Sequence, residues 1–274
     1  MRTVVLVHGS WHGSWCWSLV TEQLAGLGIS SVPVDLDGHG LKNRSPISRW
    51  SRPFDPAAYA AEPSGVADIA ASSAAATLVG QIRVIGGGDP CVVVAHSMGG
   101  TVATAAAELE PSLFAHLVYV AAYVPVTGIS AAEYAAGPEN EGKILPSLAG
   151  DPAALRALRL DTGNRDVQAT IRDAFYGDVD NATSAAAISL LGPDLPYGIP
   201  NEPITVTAGR YGTIPHTYIT TAKDNTVRPA LQQRFIREIN ALSTTPTTVV
   251  DLDTSHSPFL SQPAAVAAAI AGAC

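Results

Sequence analysis

An α/β fold, with a mostly parallel central sheet flanked by helices, is what this 274-residue sequence predicts, and three observations carry the expectation. Short runs are apolar at nearly every position, which marks strands covered on both faces, the habit of parallel sheets. Helical periodicity lies between those runs, as crossover connections require. The alternation then breaks over residues 124–215, which are mostly helical in composition and read as a cap inserted over one end of the sheet.

The elements follow in order. A strand is expected over Thr3–Val7, then a helix over Trp15–Ala25, where Trp17, Val20, Leu24 and Leu27 recur at spacings of three and four before Gly26 and Gly28 end it. A second strand covers Ser31–Val34. Leu41–Ser64, with four prolines and the bases Lys42, Arg44, Arg49 and Arg52, is an irregular excursion that either flanks a functional rim or is a solvated loop. Periodicity assigns nothing to residues 65–89. Cys91–Ala95 is a third strand, Thr101–Glu110 a helix stopped by Pro111, and Leu117–Ala121 a fourth strand. After the cap come a strand at His216–Thr220, a helix at Leu231–Leu242 entered past Pro229, a strand at Thr247–Leu252 and a helix at Pro263–Ala271. Residues 1–123 and 216–274 are thus expected to form the core and 124–215 the cap, in a single compact unit.

Composition removes whole classes of function. With 47% hydrophobic and 15% charged residues the chain folds around a core. A net charge of −8 without a dense basic cluster argues against nucleic-acid binding. The longest apolar stretches, Leu117–Val126 and Ala264–Cys274, fall short of the ~20 residues that span a bilayer, so no membrane segment is expected. Cys16, Cys91 and Cys274 have no metal-ligand spacing and cannot form a complete disulfide set, which fits a reducing compartment. Met1-Arg2 runs directly into the first apolar strand, and the expectation is an untargeted cytoplasmic protein.

The strongest chemical signal is Val92-Val93-Val94-Ala95-His96-Ser97-Met98-Gly99-Gly100. An apolar strand meets a serine and then a helix opening on two glycines. A serine pinned in such a turn is forced outward, and its neighbours must be small because strand and helix backbones nearly touch. The usual motif begins with glycine; Ala95 is the smallest departure from it.

A serine needs a base to remove its proton and a carboxylate to orient that base. Among seven histidines, His256 follows the last strand, at the sheet edge where Ser97 lies, whereas His116 and His216 sit at strand entrances, the opposite edge. Asp224 follows the strand before it; Asp251 and Asp253 remain rivals as the acid. The oxyanion of acyl transfer calls for backbone amides, and those of Met98, after the nucleophile, and Ser10, in the glycine-containing loop after the first strand, are the candidates. His8 and His12 lack a partner carboxylate or thiolate at metal-site spacing, and no dinucleotide or nucleoside-triphosphate loop follows the first strand, so no metal or organic cofactor is expected.

Val5–Trp15, Val34-Asp35-Leu36-Asp37-Gly38-His39-Gly40, Ala95–Gly100 and Lys223-Asp224 together resemble the α/β-hydrolase branch of plant methyl esterases, hydroxynitrile lyases and related bacterial esterases. The likeness covers residues 1–40, 90–125 and 204–274 and is poor elsewhere. It implies Ser97, Asp224 and His256 as nucleophile, acid and base, in the family's chain order, with oxyanion amides at Ser10 and Met98. The lyases' threonine and lysine markers fall on Gly9 and Ser257, so the resemblance implies ester hydrolysis rather than cyanohydrin cleavage. A lactone or thioester substrate, a non-catalytic small-molecule binder and a carbon–carbon lyase are the alternatives. Gly9, Trp11, His96, Tyr123, Leu191 and Tyr197 are expected around a small-molecule ester, Leu190 and Ile199 in an apolar roof, and the protein is expected to be a monomer or homodimer.

Overall fold

A computed structural model describes residues 2–274. Its strands are β1 (Val4–Val7), β2 (Ser31–Val34), β3 (Cys91–His96), β4 (Phe114–Val120), β5 (Ala157–Arg159), β6 (Asp194–Pro196), β7 (His216–Thr221) and β8 (Thr248–Leu252). Six of them form one sheet in the order β2-β1-β3-β4-β7-β8, with every pairing parallel, and β5 and β6 form a separate antiparallel pair. Helices α1 (Ser18–Gly26), α2 (Pro56–Ala61), α3 (Ala71–Ile85) and α4 (Gly99–Leu109) lie among the first four strands. Between β4 and β7 come α5 (Ala131–Ala136), α6 (Pro152–Leu155), α7 (Arg165–Phe175), α8 (Asn181–Leu190) and α9 (Gly198–Asn201). The chain closes with α10 (Pro229–Leu242), α11 (Pro258–Ser261) and α12 (Pro263–Ala271).

The unbroken apolar runs have a direct cause. Val5, Val7, Val93, Ala95, Leu117 and Tyr119 enter one core layer, under α3, α4 and α10; Val4, Leu6, Val92, Val94, Val118 and Val120 enter the other, under α1 and α12. Successive side chains point to opposite faces, and both faces are covered, so these central positions are apolar on either side.

Beyond helix α2 inside the excursion and the β5–β6 strands inside the segment expected to be mostly helical, two elements differ from the sequence expectation. The helix expected from Trp15 starts as a 3₁₀ turn over Ser14–Trp17 and becomes α-helical only at Ser18. The 15-residue α3 has no counterpart in the expectation, although its buried face, Ala71, Ala74, Ala75, Leu78, Val79 and Ile82, keeps the three-four spacing. That face is half alanine, so its contrast with the outer face is faint in the sequence while its small side chains allow close packing against α4.

The excursion at 41–64 is tied down. Arg159 is fully buried and donates through Nε and Nη2 to the Asp194 carboxylate, both at 2.7 Å, while its Nη1 donates to the carbonyls of Tyr59 and Glu62. Ser64 Oγ donates to the same carboxylate at 2.6 Å. The β5–β6 pair and the excursion therefore share one charged centre. β1 and β3 lie side by side with β2 and β4 on opposite flanks, so the loops leaving their carboxyl ends open a crevice at the switch in strand order, where α/β sheets bind ligands.

Candidate active site

The turn after β3 projects Ser97 into that crevice. Ser97 has φ of 51°, a left-handed conformation that places a non-glycine side chain under strain, and it is 5% exposed. Close approach explains the flanking glycines. A β-carbon at Gly99 would lie 2.3 Å from the His8 carbonyl oxygen, and one at Gly9 would lie 2.7 Å from the Ser97 β-carbon and 2.8 Å from His96 Nδ1.

His256 stands in the loop between β8 and α11, and Asp224 in the loop after β7. His256 Nε2 is 2.9 Å from Ser97 Oγ, and His256 Nδ1 is 2.8 Å from Asp224 Oδ2. The Asp224 carboxylate, fully buried, also accepts from the amides of Thr226 and Val227, each at 2.8 Å, and from Thr221 Oγ1 at 2.9 Å. Three donors other than the imidazole point at this carboxyl group, and the arrangement is complete with the His256 tautomer that donates from Nδ1 to Oδ2 and leaves Nε2 to accept from the serine. Asp251 instead accepts from Thr220 Oγ1, and Asp253 pairs with Lys223 at an exposed position.

The loop after β1 is shaped by two histidines. His8 Nδ1 donates to the Gly9 carbonyl at 2.8 Å while its Nε2 accepts from the Leu36 amide; His12 Nδ1 donates to the Ser10 carbonyl at 2.7 Å. Both peptides flanking the Ser10 α-carbon are thus pinned by imidazoles, and Trp11 is held at φ of 59°. Burial, the largest effect on each, lowers the His8 pKa to about 3 and that of His12 to about 4, so both are neutral at pH 7 and keep the tautomers these bonds need. Among the described residues, the amides of Ser10 and Met98 have no hydrogen-bond partner. His96 donates from Nε2 to the His256 carbonyl at 2.9 Å; burial foremost, then the neighbouring imidazoles, keep it neutral.

Ser97 and His256 open into a cavity of about 550 Å³, a size suited to a small organic molecule. Of the expected contact residues, Trp11, His96, Tyr123 and Tyr197 line it. Two do not. Gly9 lies behind Ser97, where only its backbone fits, and Leu191 is buried with its carbonyl accepting from Arg49. The roof is also differently made: Leu190 is 56% exposed, and Leu158 and Leu195 of the β5–β6 pair, Phe175 of α7 and the alanines of α5 form the walls. The bases of the excursion are not at this cavity; Lys42 pairs with Asp37, Arg49 donates to Thr162, and the cation on the lining is Lys143. Phe175 and Leu158 escaped the sequence reading because nothing in their spacing distinguishes cavity wall from core.

Among the described residues no group of histidine, cysteine, aspartate and glutamate could hold a metal ion, and no helix is long and apolar enough to cross a membrane.

Comparison with known proteins places the chain among hydrolases. The profile described as the alpha/beta hydrolase family matches residues 4–269. The chain is 27% identical to Methylesterase 18 of Arabidopsis thaliana over 274 residues, covering 94% of this chain and 92% of that protein. It is 27% identical to a pyrethroid hydrolase of Sphingobium wenxiniae over 283 residues, covering 98% and 86%. Its backbone matches methylketone synthase I of tomato with a TM-score of 0.73, over 99% of this chain and 96% of that one, at 18% identity.

Proposed function

The chain belongs to the alpha/beta hydrolase family, and on that premise we propose that it hydrolyses carboxylic esters of small, largely hydrophobic molecules through an acyl-enzyme on Ser97. The observation that carries this reading is the hydrogen-bonded line from Asp224 through His256 to Ser97 at the floor of an apolar cavity. His256 Nε2 takes the Ser97 proton as Oγ attacks the ester carbonyl, and Asp224 stabilises the imidazolium. The amides of Ser10 and Met98 receive the oxyanion, each worth about 3 kcal/mol of transition-state stabilisation. His256 then returns the proton to the leaving alcohol. Water, deprotonated by His256, attacks the acyl-enzyme and releases the acid, and the cycle closes with no other reagent.

The names of the methylesterase and pyrethroid hydrolase relatives support ester cleavage. Lactones and thioesters would pass through the same intermediate. The position of Gly9 speaks against a lyase, whose threonine there would meet Ser97 and His96. We read residues 124–215 as the cap that closes the cavity over a core of 1–123 and 216–274. We further infer a monomer or homodimer in the cytoplasm; Cys16 and Cys91 are buried free thiols, which suits a reducing compartment.

Turnover of chromogenic aryl esters graded by acyl length tests the reading. Wild type is expected to cleave them, and Ser97→Ala to lose on the order of 10⁴-fold or more in kcat. Cyanide release from a cyanohydrin, without ester turnover, would replace hydrolysis by the lyase reading.

A further inference from the structure

The chain leaving α7 makes a turn, residues 173–178, that touches all three loops assembled around Ser97. On the Asp224 loop, Thr226 Oγ1 donates to the Ala174 carbonyl at 3.0 Å and Asn225 Nδ2 to the Asp173 carbonyl at 3.2 Å. On the His256 loop, the Asp178 carboxylate accepts from Thr254 Oγ1 at 2.6 Å, from the Ser255 amide at 3.0 Å, and from Ser255 Oγ. On the loop after β1, the Tyr176 hydroxyl donates to His12 Nε2 at 2.7 Å, and His12 Nδ1 passes the constraint on to the Ser10 carbonyl. The turn belongs to the segment over the sheet, yet of residues 173–178 only Phe175 lines the cavity; Tyr176 and Asp178 do not.

We propose that this turn is a clamp, in which Tyr176 and Asp178 are positioning residues that hold the oxyanion loop and the base loop in register with Ser97. The inference rests on the roles given above to Ser97, His256 and Ser10. Its physical basis is that transition-state geometry tolerates little error: a displacement of ~1 Å at a reacting group can cost about 100-fold in rate. Each of the two side chains fixes a loop whose groups act in the transition state. The Asp178 carboxylate holds the two residues before His256, in the order Thr254 and Ser255. Tyr176 orients the one imidazole that locks the Ser10–Trp11 peptide, beside the free Ser10 amide. A buried tyrosine hydroxyl that donates to a neutral histidine nitrogen satisfies both groups, and its loss leaves the imidazole free to turn. Because neither side chain itself lines the cavity, the clamp is expected to act chiefly on kcat, with only a small effect on KM.

The test compares wild type with Tyr176→Phe, Asp178→Asn and Asp178→Ala. Steady-state turnover of an aryl ester gives kcat and KM, the rate of phosphonylation by a fluorophosphonate reports serine reactivity without an ester, and thermal melts establish folding. Tyr176→Phe is expected to lower kcat and phosphonylation about tenfold and Asp178→Ala about 100-fold, with KM within about twofold of wild type. Asp178→Asn, which keeps one acceptor oxygen in place, should fall between Asp178→Ala and wild type. Folded Tyr176→Phe and Asp178→Asn proteins that match wild type in both rates, or that change only in KM, would overturn the clamp. If Asp178→Ala does not fold, those two variants decide. A wild-type protein that the fluorophosphonate leaves untouched would instead remove the serine assignment, and the clamp with it.

Discussion

Asp224 illustrates how a single carboxylate serves both geometry and charge. Its Oδ1 is occupied by two backbone amides, so only Oδ2 is left to Thr221 and His256. Asp224→Asn replaces one of those acceptor oxygens by a donor, which faces either two amide hydrogens or the imidazole Nδ1–H, and the tautomer that activates Ser97 is lost. A fall in kcat on the order of 10³- to 10⁴-fold, with little change in KM, is expected in ester assays; near-normal activity would move the acid role to another residue. Gly9→Ala tests the crowding around Ser97. Its β-carbon would displace Ser97 or His96, and kcat/KM is expected to fall about 100-fold while the melting temperature drops only modestly; an unchanged kcat/KM would show that the loop yields freely. At this scale the sequence was informative where chemistry forces residue type. Ser97, His256 and the small residues around them follow from the strand-serine-glycine pattern and chain order. Tyr176 and Asp178 were not legible, because a hydrogen bond to a distant loop leaves no mark in local spacing.

At the scale of elements, the Arg159–Asp194 pair is the fastening between β5, β6 and the excursion at 41–64. Both partners are inaccessible to solvent, and every guanidinium contact is to an acceptor of good geometry. Removing one partner strands a buried charge: Arg159→Met is expected to cost roughly 3–5 kcal/mol in urea unfolding. The double variant Arg159→Met with Asp194→Leu should recover most of that loss, since no charge is left unpaired, and a double variant as unstable as the single would contradict this account. The inner strands β1, β3 and β4 were legible in the sequence because burial on two faces imposes a run of apolar residues, whereas the short β5 and β6 left no such run. α3 was not legible either, since its buried face relies on Ala71, Ala74 and Ala75 and an alanine reads alike on either side of a helix. The excursion's bases were legible as a cluster, but the direction each side chain takes is decided by Asp37, Thr162 and the Leu191 carbonyl, far away in sequence.

For the whole molecule, an unusual store of buried neutral histidine sets the pH range of stability. Burial, the leading cause in every case, lowers His8 and His216 to about 3, His12 and His39 to about 4, and His96 well below its ordinary value of 6.5. The unfolded chain protonates these groups below pH 6.5, whereas the folded one keeps His8, His12, His39 and His216 neutral until about pH 4 or lower and holds His96 neutral well below 6.5. The unfolded state therefore binds more protons, and stability is lost as pH falls from 6.5 toward 4. At pH 5 each of these histidines is protonated in the unfolded chain and held neutral in the folded one, so unfolding takes up protons and acid favours it. Urea midpoints measured from pH 7 to pH 5 should fall steeply; a flat profile would mean that the imidazoles are hydrated in the native state. His12 and His96 line the cavity at Ser97, and His8 bonds the Gly9 carbonyl in the loop beside it, so the burial that fixes the site's tautomers also bears on the acid limit of the fold. The central claim, that Ser97 is a nucleophile activated by His256, is tested most directly by intact-protein mass spectrometry after fluorophosphonate treatment, with peptide mapping of wild type and His256→Ala. One adduct on Ser97 in wild type, formed far more slowly in His256→Ala, is the predicted result; a folded wild-type protein without an adduct, or labelled equally fast in the variant, would contradict it.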